Sequence, residues 1–234
     1  MASHWTPLSF EQHGHMRVNA EGSIRSLMKT NMVTVVVSEL ASIAAELPVF
    51  FVKNSETGSF ELVALMGFSV DSNVFFDNGV WRGIHIPYCV QNLPFVMASV
   101  EEDKYVLCVD ESSDQFNAHI GQPLFEASGD QTEYLMSIVK KLLDYKSKQE
   151  TTARYLETLL EFDLLAEQNL TLDLVGSESV SIGGVYQVDM KRLSQLADDK
   201  FIELRRRGFL TAVYAQLLSM QKLRELARLN LAVS

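Results

Sequence analysis

Five histidines, two cysteines and a scatter of carboxylates hold whatever proton-transfer, nucleophilic or metal chemistry this 234-residue chain can perform. His13 and His15 stand two apart, so on a strand both would face one side, joined by Glu11, and such a pair can hold a metal. No third histidine lies at motif spacing. The segment therefore reads as a polar N-terminal stretch with exposed imidazoles. His85, between Ile84 and Ile86, reads as a partly buried strand residue with one hydrogen bond, and a general base there would need a partner. Cys89 and Cys108 each lie in an apolar run and read as buried, reduced thiols. Either would be a nucleophile only if an imidazole activated it, and His85 precedes Cys89 by one helical turn.

The established signatures are missing. There is no glycine-rich loop ending in Lys-Ser/Thr to cradle phosphate, and no three-glycine dinucleotide fingerprint after a strand. No serine sits in a G-x-S-x-G elbow, and C-x-x-C, H-E-x-x-H and the EF-hand loop are all absent. The sequence thus implies no cofactor, no metal and no catalytic residue. The most distinctive stretch is the aromatic run WRGIHIPYCVQNLPF. Trp81, Arg82, Tyr88 and Phe95 could line a concave site there, with His85 and the later Asp110 as its polar groups. Aromatic side chains at a sheet–helix junction equally serve as core.

Composition bounds the rest. Hydrophobic residues make up 47% and charged residues 21% of the chain. That is the balance of a packed globular protein with no need of a disulfide. The net charge of −10 opposes phosphate backbones and anionic membranes, so no nucleic-acid partner is expected. Arg205, Arg206 and Arg207 are the one basic cluster, and they suit a helix C-terminus. Residues 99–134, rich in acids, read as a solvated surface. With no apolar stretch long enough to span a membrane and no visible signal peptide, the expected location is cytoplasmic.

The elements that must position these groups follow from periodicity. MVTVVV (32–37) reads as a buried strand, Ser38 as the cap of a helix ending before Pro48, and VFFVK and the run from Glu61 as further strands. Asn78-Gly79 between apolar runs predicts a tight hairpin joining Val74–Phe76 to Val80–Ile84. Pro87 opens a short helix, and Phe95–Ser99 and Tyr105–Val109 are strands joined by an acidic turn. From Asp130, paired with Glu133 in a capping box, the period turns helical through Leu135, Ile138, Val139, Leu142 and Leu143, then Leu156, Leu159 and Leu160. Leu170–Val175 and Val180–Val188 form a late hairpin. Asp189 caps one helix, Asp198 or Asp199 the next, with Gly208 as its stop, and Leu210, Val213, Tyr214, Leu217 and Leu218 mark the last. The expected fold is α+β. It has a mostly antiparallel sheet in residues 1–130 and a helix-rich part with a hairpin in residues 131–234, packed as one globular unit. A homodimer through the C-terminal helices is compatible with that pattern.

The segment WRGIHIPYCVQNLPFVMA resembles the W-R-x-G-Y-I-P-x-Y-x-R-x-Y-P-F block of the SapC family of bacterial proteins. LCVDESSDQF, GQPLFEASGDQTEYL, the stretch from Gly184 to Leu226 and the N-terminal PLSFEQHGHMRV resemble further blocks in the same order. Gln91, Asn92 and Leu93 replace two basic residues and a tyrosine of that pattern. The resemblance implies a link to S-layer biogenesis or envelope-associated pathways, not the membrane permease that shares the name. The reading is a non-enzymatic accessory protein that binds a ligand or partner. The alternative is an enzyme of unrecognised type with its site around Trp81–Phe95.

Overall fold

The computed structural model describes residues 5–101, 104–117, 119–172 and 179–233. They fall into two compact units. The first combines the residues up to Ser26 with Tyr88–Ser147, and the second combines Leu27–Pro87 with the residues from Lys148 onward. Sheets are antiparallel throughout and the C-terminal part is rich in helix, so the fold is α+β.

In the first unit, strands Trp5–Pro7, Lys104–Asp110 and Phe95–Glu101 form an antiparallel sheet. Its register sets Thr6 opposite Val109 and Val109 opposite Phe95. Directly opposed residues share a face, so Val109 and Phe95 point together into a core with Val18, Leu124, Leu135, Ile138 and Leu142. The last three lie on the long helix Glu133–Glu161, whose first half belongs to this unit. The expected helical stripe holds except at Leu143 and Leu160, which are exposed. Asp130 does not cap this helix. The hydroxyl of Thr132 accepts the N–H of Leu135 at 3.2 Å, while the Asp130 carboxylate takes the hydroxyl of Ser128. The polar run Ser147–Thr152 continues the helix without a break.

The second unit is organised by a five-stranded antiparallel sheet. Its order is Leu165–Leu172, Val180–Val188, Val49–Lys53, Phe60–Leu65, Met32–Thr34. Val49, Phe50 and Phe51 are buried in succession, as a central strand covered on both faces requires. The late hairpin is present, but residues 173–178 of it lie outside the described ones. The run MVTVVV pairs as a strand only to Thr34 before a 3₁₀ turn at Val37–Glu39. There the N–H groups of Val36 and Val37 donate to the Glu39 carboxylate and the Thr152 hydroxyl, side chains that take the place of a neighbouring strand. Ser38 therefore sits inside the turn rather than capping it. The helix Asp198–Arg206 is preceded by Ala197, with both aspartates in its first turn instead of at its cap. Asp189 does cap Met190–Ser194, and Gly208 takes a positive φ of 77° just past Arg207. A further helix, Lys222–Val233, follows the one expected to be last, because no glycine or proline after Ser219 stops the chain.

One seam in this sheet needs help from a helix. Strands Val180–Val188 and Val49–Lys53 pair at Val185 opposite Val52 and at Tyr186 opposite Phe51. Two residues along, the same register would set Val188 opposite Val49. Instead, the buried Gln216 of helix Leu210–Ser219 fills the gap. Its Oε1 accepts the Val188 N–H at 3.1 Å, and its Nε2 donates to the Val49 carbonyl at 2.9 Å. Ser219 Oγ accepts the Val49 N–H at 3.0 Å and donates to the Gln216 carbonyl. Gln216→Leu would keep the packing but leave two buried backbone groups unpaired, at about 1–3 kcal/mol each. We expect urea denaturation of this variant to show a loss of about 2–5 kcal/mol. A loss under about 1 kcal/mol would show that the seam closes without Gln216.

Candidate functional site

The aromatic run begins as a hairpin in the second unit. Phe76–Asp77 pairs with Val80–Trp81 across Asn78 (φ 49°) and Gly79 (φ 79°). Two successive positive φ values define a type I′ turn. The pairing covers two residues per strand, shorter than the sequence suggests. Trp81 lies against Phe76 and Phe75, with ring centroids 5.4 and 5.8 Å away. Gly83 rests on the indole so closely that a Cβ there would come within 2.7 Å of Nε1, which only glycine allows. Arg82 pairs with Asp77 at 2.6 Å on the surface.

Beyond Gly83 the chain is not a strand but an irregular segment, and two carboxylates hold it. The Ile84 N–H donates to Glu46 Oε2 at 2.6 Å and the His85 N–H to Glu46 Oε1 at 3.0 Å. The His85 ring approaches Glu39, with Nε2 2.7 Å from Oε2. The Glu39 side chain is 0% exposed and that of His85 19%. A buried carboxylate is costly unless its oxygens are used. Here one takes the imidazole and the other takes the Val36 N–H at 3.0 Å. Nε2 must be the donor to a carboxylate, so Glu39 fixes both the tilt and the tautomer of the ring. A carboxylate also orients catalytic imidazoles elsewhere, although there it holds Nδ1 and here it holds Nε2.

The candidates named from sequence therefore divide. Trp81, Arg82 and His85 share this segment of the second unit. Tyr88, Phe95 and Asp110 belong to the first. Tyr88 opens the helix Tyr88–Gln91. Phe95 is buried edge-on to Phe116. Asp110 accepts the backbone N–H and the hydroxyl of Ser112 in a local turn.

The N-terminal histidines also differ from expectation. His13 ends a one-turn helix, Phe10–His13, so it shares no strand face with the exposed His15. Its side chain is wholly buried, with Nε2 3.0 Å from Glu111 Oε1 and Nδ1 3.1 Å from the Ser9 N–H and carbonyl alike. The neutral ring accepts the N–H and the charged ring donates to the carbonyl, so each protonation state finds a partner. Both thiols are unbridged, and burial pushes that of Cys108 upward in pKa, which makes it a poor nucleophile. Among the described residues no group of three or more His, Cys, Asp or Glu could hold a metal. No helix among them is long and apolar enough to cross a membrane.

Glu39 and Glu46 are the functional-looking groups that sequence reasoning missed, while His13 was singled out but expected to be exposed. A family model described as SapC matches residues 8–226 of the chain. No curated protein and no solved structure matches it.

If Glu46 holds this segment, Glu46→Gln should loosen it, because an amide has one acceptor oxygen where two N–H groups need one each. A charge-assisted bond contributes about 1.5–3 kcal/mol, so tryptic cleavage after the exposed Arg82 should rise about tenfold or more. An unchanged cleavage rate would show that Glu46 does not hold the loop.

Proposed function

The chain belongs to the SapC family, and we propose that it is a non-enzymatic accessory protein that binds a partner through the loop from Asn78 to Ile84. The S-layer or envelope-associated pathways implied by the family resemblance are the setting for that partner.

The observation that carries this reading is an apolar loop tip on a pinned backbone. Val80 is 67% exposed and Ile84 93% exposed. Between them the indole of Trp81 is packed from below and Arg82 is held by Asp77. A single exposed apolar residue is ordinary. Two of them beside a tryptophan and an arginine, the residue types that dominate interface hot spots, favour a binding surface. Pinning by Glu46 and by the Glu39–His85 contact lowers the conformational entropy lost on association.

A second reading rests on one contact. The buried Glu39 beside His85 is the arrangement of a general base with its orienting carboxylate. An enzyme built on it would act at the exposed edge of the ring.

The two readings separate in one set of variants. On the accessory reading, immobilised wild-type chain retains a stoichiometric partner from native lysate. Val80→Asp with Ile84→Asp loses it at an unchanged melting temperature, since both side chains are exposed. Retention of the same partner by the doubly substituted chain contradicts the reading. On the enzymatic reading, a substrate screen finds turnover that falls about a hundredfold or more in His85→Asn.

A further inference from the structure

The outer face of helix Asp198–Arg206 has a charge pattern that the fold of one chain does not use. Asp198, Asp199, Arg205 and Arg206 are all exposed. Among the described residues none of the four makes an ion pair or a side-chain hydrogen bond. The opposite face carries the buried Leu204, and Lys200 lies over the Phe162 ring. Ile202 stands in the middle of the exposed face, 41% exposed. On a helix these five positions lie on one side, since residues three and four apart are neighbours.

The arrangement is symmetric about Ile202. Asp198 and Arg206 are each four residues from it, and Asp199 and Arg205 are each three. The helix macrodipole favours acids at the start and bases at the end of any helix. It does not favour an apolar side chain at the centre of the solvent face. An antiparallel copy of the same helix, centred on Ile202, would set Asp198 against Arg206 and Asp199 against Arg205, twice over. A two-fold interface needs that self-complementarity, each patch meeting itself in reverse. Apolar surface continues beside it. Met190 and Tyr214 are exposed at an open depression of about 250 Å³, whose wall also includes Asp198 and Phe201. Leu218 is exposed one helical turn beyond Tyr214.

We propose that this face is a homodimer interface, with the two Asp198–Arg206 helices antiparallel and Ile202 on the two-fold axis. The occupant is a second copy of this chain because its own charges supply the complement at every position. A partner of uniform charge would match one end of the helix and oppose the other.

Sedimentation of the full chain over a range of concentrations tests this. The wild type should show a reversible dimer that weakens with added salt. Asp198→Lys with Asp199→Lys makes every cross-axis pair repulsive, as does Arg205→Glu with Arg206→Glu. Each should raise the dimer dissociation constant by about tenfold or more. An equal mixture of the two variants should form a heterodimer, since all its pairs are again attractive. Should the reversed charges unsettle the helix, Ile202→Cys gives an independent reading. Under mild oxidation it should cross-link between copies faster than Glu157→Cys, an exposed control on another helix. A wild type that stays monomeric, a dimer indifferent to charge reversal, or cross-linking at Ile202→Cys no faster than at the control would overturn the proposal.

Discussion

Every buried backbone N–H and C=O in this chain must find a partner, and where the sheets run out, side chains supply it. Val49 and Val188 reach a seam that their strands leave open, and Gln216 and Ser219 close it from a helix. Val36 and Val37 leave the sheet edge and are met by Glu39 and Thr152. Ile84 and His85 belong to no strand, and Glu46 takes both their amides. The irregular parts of the second unit are ordered because polar side chains from neighbouring helices and from the turn after Ala44 stand in for missing strands.

That constraint also explains what the aromatic run can do. The hairpin sets the turn, Gly83 lets the chain cross the Trp81 indole, and the two glutamates fix Ile84 and His85 beyond it. A short segment held on three sides presents Val80, Arg82 and Ile84 outward with little freedom left to lose. Glu39 serves two purposes. It satisfies Val36 and it orients His85, so removing its charge would disturb the turn and the imidazole together. In the His13–Glu111 contact of the first unit the burial is reversed, with the ring buried and both its nitrogens engaged while the carboxylate is exposed.

The local signals in the sequence proved sound where they depended on neighbours along the chain. Asn78-Gly79 announced the hairpin, VFFVK the central strand, and Gly208 the end of a helix. The stretch from Trp81 was singled out for its residue types, and three of its members do share one segment. What the sequence could not disclose was pairing at a distance. Glu39 and His85 are 46 residues apart, and nothing local marks either as a partner of the other. A faint signal was available in ELASIAAEL, where two acids seven apart fall on one side of a helix whose other residues are largely apolar. His13 looked solvent-exposed because the residues around it are polar, yet a single helical turn buries it. Nothing local marks Gln216, a polar residue beside two leucines, as a buried partner. Its burial is set by a seam between strands more than a hundred residues apart in the chain. Leu143, Leu160 and Leu218 erred in the opposite sense, since the apolar period continues onto faces that the core does not cover.

The segment after Gly83 is fixed by carboxylates although it lies outside any sheet or helix, and residue-resolved amide hydrogen exchange on the native chain probes that directly. The Ile84 and His85 amides should exchange roughly tenfold to a hundredfold more slowly than in an unstructured chain, even though the Ile84 side chain is open to water. Exchange of both amides at unstructured-chain rates would mean that Glu46 does not hold them, and that the loop is not a preorganised surface.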